Sequence, residues 1–447
     1  MSGASLLARG SRRVVYAARM RSRGWFLLVA LLGLASVGHA DQVIRLATYA
    51  LPRGLGNPHS STSSSEIYTW ASIFDGLTRV DENGRVLPAL ALAWRPTNPL
   101  TWRFRLRKDV RFSNGEPFDA DAVVATIQYL ISDVAAGQSV AREFSSIAGA
   151  RALNEHLVEI STHRSELVLP AKLAAMRIVA PEQWRRLGPE GFARHPVGTG
   201  PFQVEEWASA RIALSAFRDS WRPPAVDGLE IFEIPETAAR VQGLQSGRLD
   251  IGLVLAPDDT DALERTGNAM HVSSGAAVTG MSFVTVRDSP VNDQRVRQAL
   301  NYAVDKEAII EVLLRGKTRP AGQPAPHRAH GYDRSIQPYP YDPGKARALL
   351  AEAGYSDGFD LIAEVVLSAT TAGAAVYSVV AEQLAAVGVR LEVRNIPVAQ
   401  LITKSVSGNF AGSAFGMEYD LKPTLDAMRP IPMHTCLRLV PWHCDPE

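Results

Sequence analysis

Between Thr101 and Leu130 the chain changes from one hydrophobic period to another. Trp102, Phe104 and Leu106 alternate with Arg103, Arg105 and Arg107, a period of two that predicts a strand with one buried and one wet face. Val110 and Phe112 keep that alternation around Arg111 and predict a second short strand, which Ser113-Asn114-Gly115 turns and Pro117 stops. Asp119 then stands where a helix cap is needed. The stripe Ala120, Val123, Val124, Ile127 and Leu130 has helical spacing, and Asp121 suits the positive end of the helix dipole.

Similar patterning fills most of the chain. Residues 43–49 predict a strand, and residues around Val204 and Leu214 a strand pair. Residues 228–234, 237–244 and 249–251 predict strand, helix and strand, with Gly247 stopping the helix. This order makes a parallel unit, and ligands favour the carboxyl ends of such strands. Farther on, Val296, Leu300 and Ala303 form an inward helix stripe, Asp305 caps the next helix, and Asp342-Pro343 opens another that Gly354 ends. Residues 361–367, 374–387 and 389–393 predict a second parallel unit.

Composition narrows this picture. The chain is 21% charged and 46% hydrophobic, without a low-complexity tract, which excludes disorder and solenoids. Residues 1–40 hold six arginines, no lysine and no acid, then an apolar run and Gly38-His39-Ala40 before Asp41. This predicts a signal peptide over 1–40, whose removal takes the net charge from +1 to −5. Met1 and Met20 both stay open as starts. Ser11-Arg12-Arg13 admits twin-arginine export if the first is used, and a start at Met20 gives an ordinary signal. With no cysteine after the apolar run, a lipid anchor is excluded and a soluble periplasmic protein is expected. Cys436 and Cys444 suit that oxidising space as a disulfide. The neighbouring His434 and His443 leave a zinc site open, although the spacing matches no common one.

The string W-x-F-x-L-x-x-x-V-x-F-x-x-G-x-P-x-x-A-x-x-V from Trp102 to Val123 resembles the signature of the family 5 extracellular solute-binding proteins, receptors of peptide and nickel ABC importers. Pro196-Val197-Gly198-Thr199-Gly200-Pro201-Phe202 and the stretch from Val296 to Lys306 resemble the same family. The resemblance implies an α/β fold with two lobes, a periplasmic-binding-protein fold of the type II, cluster C-like kind with an inserted subdomain. Lobe I would span 41–76 and 185–274, the insert 77–184, and lobe II 275–447. The glycines at 198 and 200 are read as serving backbone geometry at a crossing between lobes. The close of the sequence, near Trp442, falls short of the family's final helices, so an incomplete lobe II is expected.

The same resemblance implies where a ligand sits. An aspartate that holds a peptide's α-amine falls on Asp420, with Glu418 the alternative and Met417 where a tryptophan is common. Ser61, Thr62, Leu253 and Val254 fall at other cleft positions. The implied function is capture of short peptides by hinge closure and delivery to an inner-membrane ABC permease, by a monomer that needs no cofactor. A receptor for nickel or a metal chelate is the alternative, to which His327, His330, His434 and His443 could contribute. No G-x-S-x-G, H-E-x-x-H, twin C-x-x-C or Walker loop supports a secreted hydrolase, and an acidic mature chain without a basic stripe argues against nucleic-acid binding.

Overall fold

Three main sheets organise the chain, seen here in a computed structural model that describes residues 42–60, 64–272, 275–367, 373–421, 425–436, 438 and 440–444. The expected signal peptide lies outside them. In the first sheet the strand Val43–Thr48 runs parallel to both Gly228–Glu233 and Ile251–Gly252. Arg211–Ala216 and Phe202–Trp207 complete it as an antiparallel pair. The parallel unit through the helix Thr237–Gln245 is present, but its two strands flank Val43–Thr48 instead of touching each other. Its second strand is also shorter than expected, and just before it the Asp250 side chain accepts hydrogen bonds from Arg45 N at 2.8 Å and Arg45 Nε at 2.9 Å.

The second sheet is antiparallel, in the order Ala91–Asn98, Thr101–Leu106, Leu157–Thr162, Ile147–Asn154. Its inward row is the predicted one, with Trp102, Phe104 and Leu106 all buried. Val110 and Phe112 are buried too, yet they form no strand. They sit in a tight loop closed by Phe112 N to Glu116 O at 2.9 Å and Phe118 N to Val110 O at 2.9 Å. A proline at 117 cannot donate, so pairing there stops at a single bridge between Arg111 and Pro117. Asp119 caps the helix Ala120–Leu130 through Asp121 N at 3.0 Å and Ala122 N at 3.1 Å.

The third sheet has the order Ala277–Phe283, Ala414–Asp420, Phe359–Val365, Val389–Asn395. Its last two strands are parallel and joined by the helix Gly373–Ala385, as the spacing predicts. Asp305 and Asp342 cap their helices through Ala308 N at 2.9 Å and Lys345 N at 2.8 Å. Cys436 and Cys444 form a disulfide beside Trp442, which is buried with Phe410 and Phe415.

One hydrophobic cluster runs through the first two sheets, taking in Phe104 and Ile160 as well as Ile212 and Ile231. The third sheet has a cluster of its own around Val296, Leu361 and Leu384. Among the described residues no helix is long and apolar enough to cross a membrane.

Candidate functional site

The site is built where the chain leaves the first-sheet lobe and returns to it. The helix Ser64–Ile73 ends and Asp75-Gly76 leads toward the second sheet; Gly198-Thr199-Gly200 brings the chain back. Gly200 N donates to Ile73 O at 2.9 Å. A Cβ at residue 198 would lie 2.0 Å from Ile73 O, so only glycine permits this approach.

The crossing places Thr199 against Asp75, a buried carboxylate. Thr199 Oγ1 and Trp221 Nε1 each donate to Asp75 Oδ2 at 2.8 Å, and Arg222 Nε donates to Oδ1 at 2.8 Å. Both carboxylate oxygens are thereby engaged, and Trp221 and Arg222 are fixed in place. Arg107 lies over the Trp221 ring at 4.4 Å.

Asp75, Trp221 and Arg222 wall a cleft of ≈ 660 Å³, together with Trp70, Arg79 and Arg177 and the apolar Ile67, Val80 and Val140. Ile178 N donates to Asp75 O at 3.0 Å, which docks the segment carrying Arg177 beside the carboxylate. Met176 and Ile178 turn into the core, so Arg177 is turned toward the cleft. Burial pulls its pKa down to about 10, with Asp75 opposing and Arg222 adding to the shift. At neutral pH it stays a cation. Among the described residues its guanidinium makes no hydrogen bond. A charged donor without a partner in a largely apolar cleft suits a carboxylate or similar anion.

The sequence had pointed elsewhere. Asp420, Glu418 and Met417 lie on Ala414–Asp420, opposite Ala277, Thr279 and Gly280, and none of them lines this cleft. Glu418 and Asp420 are exposed; Met417 is half-buried near Phe415 and Trp442. Leu253 and Val254 follow Ile251–Gly252 outside the cleft, where Arg240 Nη2 donates to Val254 O at 2.8 Å. Ser61 and Thr62 lie outside the described residues. His434 Nε2 meets Ser282 Oγ at 3.0 Å and His443 Nδ1 meets Thr285 Oγ1 at 3.0 Å. Among the described residues no three His, Cys, Asp or Glu side chains converge as a metal site. The zinc reading of this corner gives way to the disulfide, since bonded sulfurs cannot ligate as thiolates.

Trp70, Arg177, Trp221 and Arg222 were missed by sequence reasoning, for they form no local pattern. Of the groups around Asp75, Arg107 and Thr199 stood in stretches that resembled the family.

Comparison with known proteins bears on the fold and on the class of protein. Residues 85–431 match the family model for bacterial extracellular solute-binding proteins, family 5 Middle. A glutathione-binding protein, GsiB of Shigella flexneri serotype 5b (strain 8401), is 28% identical over 352 residues, which are 77% of this chain and 68% of that one. The nickel-binding periplasmic protein of Escherichia coli (strain K12) is 29% identical over 345 residues, 74% of this chain and 65% of that one. Among solved structures, the periplasmic binding protein DppA from Helicobacter pylori in complex with the peptide STSA has a TM-score of 0.72 at 21% identity, covering 91% of this chain and 85% of its own. NikA from Brucella suis in complex with Fe(III)-EDTA has a TM-score of 0.74 at 23% identity, covering 88% and 83%. The two-lobed α/β fold expected from the sequence is the fold these structures share.

Proposed function

The chain belongs to the bacterial extracellular solute-binding proteins of family 5, and from that premise we propose that it captures a short peptide bearing a free carboxylate and passes it to an ABC permease. The observation that carries the reading is Arg177, a guanidinium that lines the cleft beside Asp75 and makes no hydrogen bond among the described residues. A peptide's terminal carboxylate accepts from the guanidinium, while apolar walls exclude the water that would otherwise screen the contact. Asp75 supports the seat from behind by holding Trp221 and Arg222. The work is burial and charge pairing with no bond broken, so the protein is a receptor and not an enzyme, placed in the periplasm once its signal is removed.

Relatives that bind glutathione or nickel fit a second reading, in which the solute is a carboxylate-rich metal chelate. Arg177 serves it equally well.

Titration calorimetry on the mature protein separates the two. The probes are reduced glutathione, Met-Leu, Met-Leu amide and Fe(III)-EDTA. A charge-assisted hydrogen bond contributes about 1.5–3 kcal/mol, so Met-Leu should bind at least about ten-fold more tightly than its amide, and Arg177→Met should erase the difference. Equal binding of acid and amide would sink the carboxylate seat. Binding of Fe(III)-EDTA alone would put the chelate reading in first place.

A further inference from the structure

Every hydrogen bond described between the third-sheet lobe and the rest of the molecule is donated by an arginine of the third-sheet lobe. Arg315 forks onto Asp261, Nη1 to Oδ1 at 2.8 Å and Nη2 to Oδ2 at 3.0 Å. Arg328 Nη1 donates to Glu82 O at 2.8 Å. Arg429 Nη2 donates to Glu143 Oε1 at 2.5 Å. Charge therefore runs one way across the gap, basic on one side and acidic or carbonyl on the other.

The third of these contacts belongs to a distinct feature. Residues 425–429 form a strap on the third-sheet lobe, held by His330 N to Leu425 O at 2.7 Å and Ala427 N to His330 O at 2.9 Å. Leu425 and Ala427 are buried with Ala325 and Ala329 in a small hydrophobic cluster that Val80 of the opposite side joins. Val80 is itself a wall of the cleft. So is Val140, on the helix Ser139–Glu143 that presents Glu143 to Arg429. The strap thus lands on two elements that shape the ligand space.

One residue of the strap, Leu425, and one latch residue, Arg315, take left-handed backbone. Leu425 and Arg315 are two of five non-glycine residues described at positive φ, each at 52°. Such conformations persist only where surrounding contacts hold them, and they gather at parts that switch.

We propose that Arg315, Arg328 and Arg429 are a charge latch that holds the lobes closed over the cleft, with residues 425–429 as its strap. The inference rests on the solute-binding reading. Opening breaks the three contacts, so closure weakens as salt screens the pairs. Ligand release then depends on ionic strength even for a solute that is itself neutral.

The test needs no ligand, so it stands or falls apart from the carboxylate seat. Fluorophores placed by unnatural amino acids at the exposed Val134 and Val312 report lobe separation in the mature protein by single-molecule energy transfer. Exposed ion pairs contribute little each, so Glu143→Gln and Asp261→Asn should each raise the open fraction about 1.4- to 5-fold. Arg429→Met should open the Glu143→Gln protein less than it opens the wild type, and 1 M NaCl should open the wild type more than the Glu143→Gln, Asp261→Asn double variant. Small-angle scattering on the same samples checks that the change is a separation of folded lobes. An open fraction unmoved by both substitutions and by salt would overturn the latch.

Discussion

Acid should weaken this protein through one histidine. His59 is wholly buried between the Tyr129 and Trp184 rings, at 5.6 and 5.4 Å, and neither ring nitrogen has a hydrogen-bond partner among the described residues. Only its backbone is tied, through His59 N to Asn57 Oδ1 at 3.0 Å. Burial pushes its pKa down from 6.5 to about 3. The folded state therefore keeps the imidazole neutral while the unfolded chain takes up a proton near pH 6.5. The stabilisation is complete above that value and drains away as the pH falls toward 3. Between pH 7.5 and pH 5 the linkage relation gives a loss of about 2 kcal/mol from this one group. Urea unfolding of the wild type and His59→Phe at both pH values isolates it, because other acid effects are common to the two proteins. The substitution should flatten the pH dependence by about 2 kcal/mol whatever it does to stability at pH 7.5. Parallel pH dependence in the two proteins, or an NMR titration of His59 near 6.5 in the folded state, would refute the reasoning.

Three further outcomes are expected. Gly198→Ala forces a methyl group onto Ile73 O and should cost about 3 kcal/mol, seen as a lowered urea midpoint. Asp75→Asn leaves Arg222 and Arg177 without their shared counter-charge and should destabilise by about 3 kcal/mol, with Trp221 emission changing as its hydrogen bond is lost. Replacing both Cys436 and Cys444 by serine removes a short closed loop and should cost about 2–3 kcal/mol, read by calorimetry and by earlier exposure of Trp442.

Local rules were legible in the sequence wherever one residue could satisfy them. Asp119, Asp305 and Asp342 cap helices as their positions require, and the parallel pair Phe359–Val365 and Val389–Asn395 follows from period and turn. Alternation alone misled at Val110 and Phe112, where burial came from loop closure and not from a ladder. At Ile251–Gly252 the strand is only two residues long, and the Asp250 side chain takes the backbone N–H of Arg45. The cleft was beyond reach for another reason. Asp75 and Arg222 are 147 residues apart, and nothing near either says that they share a hydrogen bond. Only the close pass of Gly198 and Gly200 against Ile73 brings such distant groups together.

The hydrophobic cluster that runs from Phe104 to Ile231 carries a mechanical consequence. Although two sheets contribute to it, no apolar seam separates them, so the portion around residues 91–162 has nowhere to slip. Any displacement of one of these sheets must therefore carry the other along, because parting them would expose the apolar surface they share.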